Sequence, residues 1–147
     1  MMKTTADIEW TKYVGIPYVD LGSDFVGCDC YGLVSLILKM EWGLDCPEYC
    51  PDVPVRERGP FIQEVAEECF IPMPLSSMVV GTIILFQVAG NPIHIGMLAA
   101  IDRLGRPLRF IHCLSGCNSV VERFTGIWQN RTLGSYMHKD MYSTCMI

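Results

Sequence analysis

The stretch Phe25-Val26-Gly27-Cys28-Asp29-Cys30-Tyr31-Gly32-Leu33-Val34 is where a loop turns into a helix. Upstream of it, Gly15-Ile16-Pro17-Tyr18 and Leu21-Gly22-Ser23-Asp24 carry turn chemistry. Asp29 or Cys30 opens a segment that runs to about Trp42 and stops at Gly43. Cys30, Leu33, Val34 and Ile37 fall at i, i+3, i+4 and i+7, so they share one face. A sulfur at that position lies near free N–H groups and the positive end of the helix dipole. Such surroundings favour thiolate over thiol and make a nucleophile of cysteine. A base must then come from the chain's three histidines.

Outward from this junction the chain reads as helices followed by sheet. Thr4 to Val14 can form a short first helix anchored by Ile8 and Trp10. Leu44 to Arg58 holds three prolines and two cysteines and reads as an irregular connection. Pro60 suits a first helical turn; Ile62, Val65, Ala66 and Cys69 mark the core face of a third helix, ended by Pro72 and Pro74. Glu64, Glu67 and Glu68 are its solvated face. From Thr82 the pattern is strand: Thr82 to Val88, an alternating Ile93 to Ile101, Pro107 to Leu114, Ser119 to Phe124 and a last edge strand from Arg131 to Tyr136. The expected fold is α+β, with N-terminal helices packed on a C-terminal antiparallel β-sheet.

His94 and His112 lie on consecutive strands around the turn Asp102-Arg103-Leu104-Gly105-Arg106-Pro107. Residues equidistant from such a turn face each other across neighbouring strands, so the two imidazoles are expected to be neighbours if they share a face. Gly96 leaves space on the His94 side, and the start of the Cys30 helix is expected to fill it. The resulting set is Cys30 as nucleophile, His94 as base and His112 as the group that orients His94.

Composition bounds the alternatives. The chain of 147 residues is half hydrophobic and 18% charged, which fits one domain spanning 1–147 with a real core. A net charge of −5 excludes a nucleic-acid partner gripped through its phosphates. No apolar run approaches the ~18 residues of a membrane span, so no membrane insertion is expected. Met1 to Trp10 has no apolar core, so no signal peptide is expected; the protein is read as made in the cytoplasm with its eight cysteines reduced.

At this point the residues resemble a family. Val14-Gly15-Ile16-Pro17-Tyr18 through Gly27-Cys28-Asp29-Cys30-Tyr31-Gly32-Leu33-Val34 is similar to the first motif of NlpC/P60 cysteine peptidases. Gly81-Thr82-Ile83-Ile84-Leu85-Phe86 followed by His94-Ile95-Gly96 resembles the second, and Phe110-Ile111-His112-Cys113 followed by Ser119-Val120-Val121-Glu122-Arg123 the third. The resemblance runs from about Tyr13 to Tyr136. It implies a papain-like α+β fold and a Cys-His-polar triad of Cys30, His94 and His112, with no cofactor and no metal. It implies that Tyr18 lines the substrate cleft and that Asp29 contacts the substrate's free amine. The implied substrates are peptidoglycan stem peptides, notably at the γ-D-glutamyl–diaminopimelate bond. One departure stands out: the family's common pattern has a small serine after the nucleophile, and this chain has Tyr31. That aromatic resembles the phage and prophage tail-protein branch, which implies phage tail proteins as partners and a virion location. Tyr31 is expected to alter the cleft beside Cys30.

Other cysteines leave other readings open. Cys46 with Cys50, and Cys113 with Cys117, form C-x3-C pairs that with Cys28, Cys30 and His112 suggest a zinc module. Cys28 is placed to act as a resolving thiol for Cys30. A structural tail-tip or assembly protein that keeps the fold with little activity is the main alternative function. His138 receives no role.

Overall fold

The first helix to form a scaffold is α1, Cys30–Trp42. Asp29 caps it: its side chain accepts the Gly32 N–H at 2.7 Å, so one orphan donor of the first turn is satisfied. Gly43 ends it with φ +66°, a left-handed conformation that glycine adopts without steric cost. Both ends fall where the sequence places them. The computed structural model describes residues 8–48, 64, 67–88 and 91–145 of the chain.

Ahead of α1, Ser23–Asp24 (β1) and Gly27–Cys28 (β2) pair as a small antiparallel hairpin that the sequence reading treats as loop. The helix expected over Thr4 to Val14 is reduced, among the described residues, to a 3-10 turn at Trp10–Tyr13. That turn still buries Tyr13, whose hydroxyl donates to the buried carboxylate of Glu41 on α1. Lys12 reaches the same carboxylate at 2.8 Å, so a buried charge is both paired and hydrogen-bonded.

After α1, residues 67–69 are helical, and Glu64, Glu67 and Glu68 are exposed as expected. The other residues expected in the third helix, 60–63, 65 and 66, and Cys50 lie outside the described residues. The helix does not run on to Pro72: Phe70–Met73 is a strand, β3. The other strands are Ile83–Val88 (β4), Asn91–Ile101 (β5), Pro107–His112 (β6), Val120–Arg123 (β7) and Thr132–His138 (β8). They form a six-stranded sheet in the order β3-β8-β4-β5-β6-β7, and every pairing in it is antiparallel. β3 is an edge strand, where the missing N–H of Pro72 interrupts no ladder. β8, expected at the edge, lies inside the sheet because β3 covers its outer side. Among the described residues that follow β7, Gly126–Arg131 (α2) and Lys139–Cys145 (α3) are helical.

The sheet has two apolar faces, and they do different things. On one, Leu33, Val34 and Ile37 of α1 pack with Ile83, Leu85, Ile95, Met97 and Ile111. On the other, Ile84, Phe86, Leu98 and Phe110 pack with Trp128 of α2. Burying each Leu or Ile of the larger core contributes roughly 1.5–3 kcal/mol, enough to fix the position of α1 over the middle of the sheet.

Close approach at the helix start forbids a side chain at Gly32. A Cβ there would stand 1.8 Å from the Gly22 carbonyl oxygen, which itself accepts the Asp29 N–H at 3.1 Å. Gly32→Ala is therefore expected to destabilise the fold by about 2–4 kcal/mol through overpacking against backbone. Denaturant titration of the variant checks this, with circular dichroism following the helix signal.

Candidate active site

Cys30 is the first residue of α1 and is half-buried. Its thiol meets two backbone N–H groups, those of Ile95 on β5 and Tyr31 in its own turn. Two opposing influences act on the thiol. Burial pushes the Cys30 thiol up to about 12, with the Asp29 carboxylate and Cys113 adding to the rise, against the opposing pull of the two N–H groups. The helix start supplies donors to the sulfur, but the surrounding core and a neighbouring anion outweigh them.

The two histidines are brought together as the strand spacing suggests. His94 Nε2 and His112 Nδ1 are 2.9 Å apart. The register is not the one that places them directly opposite. Met97 faces Ile111 and Leu98 faces Phe110, so His94 and His112 sit on a diagonal. An offset of two residues keeps both side chains on the same face, where an offset of one would have parted them. The space at Gly96 is taken by this arrangement: a Cβ there would meet the Phe110 ring at 3.1 Å and the His112 Cβ at 3.3 Å. The start of α1 does not fill it. α1 packs on the opposite face, because its apolar stripe matches Ile95 and Met97, the residues that alternate with His94 and Gly96.

Both rings are almost fully buried, His94 at 2% and His112 at 0% exposure. Phe86 lies beside His94 across the β4–β5 pair. Trp128 turns an edge to His112 with centroids 4.8 Å apart, and Arg131 stacks over Trp128 at 5.0 Å. α2, which the sequence reading passed over, thus closes the histidine face. Burial first, then the neighbouring His112, lowers the His94 imidazole to about 3. Burial also lowers His112, partly offset by its hydrogen bond to the carboxylate of Glu122 on β7. Glu122 is the polar neighbour that sequence reasoning missed. The available signal was period-two alternation on β7, which puts Glu122 on the Phe110 face.

The structure thus sets Cys30 against the residue that follows His94. Among the described residues no hydrogen bond joins the Cys30 thiol to His94 itself. Asp29 is buried, with Oδ1 on the Gly32 N–H and Oδ2 on the Leu21 N–H at 3.2 Å. Tyr18 is half-exposed and bridges to Cys28. Tyr31 is buried; its hydroxyl donates to the Pro47 carbonyl. It lines a cavity of about 370 Å³ with Ser35, Leu44 and Cys46, and Cys30 is not among the walls of that cavity. Cys28 is free and buried, and its thiol pairs with that of Cys113, not with Cys30. Among the described residues no group of three or more His, Cys, Asp or Glu could hold a metal ion. His138 is structural: Nε2 donates to the Asp45 carbonyl at 3.0 Å, and Nδ1 accepts the Asp140 N–H.

The fold resembles solved NlpC/P60 domains. A lipoprotein-like protein of the NLP/P60 family from Staphylococcus aureus superposes with a TM-score of 0.59 at 19% identity, over 86% of this chain and 38% of that one. The NlpC/p60 domain of the peptidoglycan hydrolase SagA gives 0.58 at 20% identity, over 85% of this chain and 89% of that domain. An NlpC/P60 family protein from Bacillus cereus gives 0.58 at 20% identity, over 84% of this chain and 35% of that one. This chain thus spans little more than a third of the length of two of the three. No protein-family profile matches the chain, and no curated protein sequence does.

The buried His94 makes acid stability a direct readout of this face. Its folded-state pKa near 3 lies below the ordinary 6.5 of an unfolded chain, so the unfolded state takes up the proton first as pH falls. The stability tied to neutral His94 is complete above about 6.5 and is lost progressively down to about 3. Between pH 7 and pH 4.5 the loss from His94 alone is expected to be about 2–3 kcal/mol. Denaturant titrations at the two pH values check this; His94→Gln should show a smaller fall.

Proposed function

We propose that the protein is a cysteine peptidase that hydrolyses amide bonds in peptidoglycan stem peptides, of the γ-D-glutamyl–diaminopimelate type, as a component of a phage or prophage tail. The observation that carries this reading is the 2.9 Å bond between His94 and His112, one residue from the Ile95 N–H that holds the Cys30 sulfur. The three motifs from Tyr13 to Tyr136 and the likeness to NlpC/P60 domains support it. The tail assignment rests on Tyr31 and its flanking residues alone.

The chemistry is acyl transfer. With the thiol held near 12 and the imidazole near 3, the pair rests as neutral thiol and neutral imidazole. The Cys30 proton passes to His94 as the sulfur attacks the scissile carbonyl carbon. The Cys30 N–H, an orphan donor of the helix start, faces the developing oxyanion. His94 then protonates the leaving amine, which departs and leaves a thioester. Water, deprotonated by His94, attacks the thioester; the acid leaves and the proton returns to sulfur. On the substrate side, Tyr18 offers its half-exposed ring, and Asp29, buried with both oxygens on backbone N–H groups, acts on a substrate amine through its charge and not by contact. Tyr31 acts by pinning the chain at Pro47 against the first turn of α1.

A second reading is favoured by the raised thiol and by its backbone partners: a tail-tip or assembly protein that keeps the fold without the activity. One experiment separates the two. Wild type and Cys30→Ala are incubated with peptidoglycan of several wall chemistries, and the products are read by mass spectrometry. The peptidase reading expects wild type to release stem fragments with a new amine, and Cys30→Ala to lose at least about a thousandfold of that rate. Folded wild type that releases nothing from any wall leaves the assembly reading.

A further inference from the structure

We propose that Glu122 is a positioning residue that sets the tautomers of His112 and His94, so that the nitrogen left over on His94 is a bare acceptor. The proposal deepens the peptidase reading and rests on His94 being the base for Cys30.

With both rings neutral, the chain of contacts admits one assignment. Glu122 lies on β7 opposite Phe110, and His112 lies two residues beyond Phe110 on β6. The two therefore share a face as diagonal neighbours, and Glu122 meets His112 Nε2. An ionised carboxylate only accepts hydrogen bonds, so His112 Nε2 carries the proton. A neutral imidazole has one N–H, so His112 Nδ1 is bare and accepts. The group 2.9 Å from it is His94 Nε2, which must donate. His94 is neutral as well, and its single proton is thereby committed to Nε2. What remains is Nδ1, unprotonated, the state a general base needs before it can take a thiol proton.

Without Glu122 the same two rings can bond the other way round. His112 Nδ1–H would donate to His94 Nε2, and the His94 proton would move to Nδ1. The distance between the rings need not change, yet the base is blocked. The His112 ring is flanked by Phe110 at 4.6 Å and Trp128 at 4.8 Å between centroids, neither of which accepts an N–H as a carboxylate does. The Glu122 side chain is itself 39% exposed, so it can be shortened without opening the core.

The test reads tautomers directly. Long-range proton–nitrogen spectra of uniformly 15N-labelled full chain at neutral pH should show the Nε2–H tautomer for both His94 and His112. Glu122→Ala should convert both to mixtures, with the backbone amide spectrum retained. On stem-peptide substrate the same variant should lower kcat about two- to tenfold, in step with the fraction of His94 protonated at Nδ1, with KM little changed. Glu122→Asp, which keeps the carboxylate, should restore part of the kcat and of the tautomer bias. A Glu122→Ala protein with wild-type tautomers overturns the proposal, as does one with wild-type kcat. Were Glu122→Ala to unfold, Glu122→Leu, which keeps most of the volume and offers no acceptor, is read by the same spectra, and an unshifted tautomer there overturns it equally. Wild type that cleaves no wall defeats the peptidase reading, while the spectra still decide whether Glu122 sets the tautomers.

Discussion

The position of the site depends on one hydrogen-bonded corner, where Asp29 ends the hairpin and begins α1. Its two carboxylate oxygens take the N–H groups of Gly32 and Leu21, and its own N–H goes to the Gly22 carbonyl. Three segments are thereby fixed to one another: the loop at 21–22, the β1–β2 hairpin and the first helical turn. Cys30 follows immediately and has no freedom of its own. The same carboxylate that orders the corner also sits beside the sulfur and raises its pKa. Structural order and resting reactivity are thus opposed in a single side chain, and the order prevails.

The sheet divides the labour. Its α1 face is a conventional apolar core, and its other face buries two imidazoles among Phe86, Phe110 and Trp128. Burial inside this aromatic shell lowers both imidazoles, and at His112 the Glu122 carboxylate opposes that pull in part. Cys30 belongs to the first face and His94 to the second. They are linked through β5, where His94 and Ile95 are consecutive, so that the side chain of one and the backbone N–H of the other serve different layers.

Parts of this were readable in the residues. α1 was legible because Asp29 and Gly43 are local signals that act through backbone geometry alone. The histidine pair was legible because face membership survives any even change of register. What escaped was what depends on distant partners. β3 contains a proline and reads as a helix end; only its place at the sheet edge permits it. α2 makes no side-chain cap bond and is held by Trp128, so nothing nearby in sequence announces it. The pull of burial on Cys30 was not legible because helix-end donors are visible in sequence, whereas burial is a sum over the whole fold. Glu122 was quoted within a motif, but its importance comes from a diagonal contact that no single strand reveals.

The β5–β6 hairpin carries irregular pairing between its turn and its histidines: the register shifts between Leu98 and Ala100, and again between Ala100 and Ile101. The pairs nearest the site, Met97 with Ile111 and Leu98 with Phe110, are held by side chains buried on both faces of the sheet. The exposed turn around Gly105 is held by little beyond Asp102 and its own backbone. A bulged stretch is where a β-ladder absorbs an extra residue without passing the change along. The hairpin therefore acts as a mechanical buffer: its tip is free to vary in length, while the alignment of the two imidazoles stays locked to the core behind it.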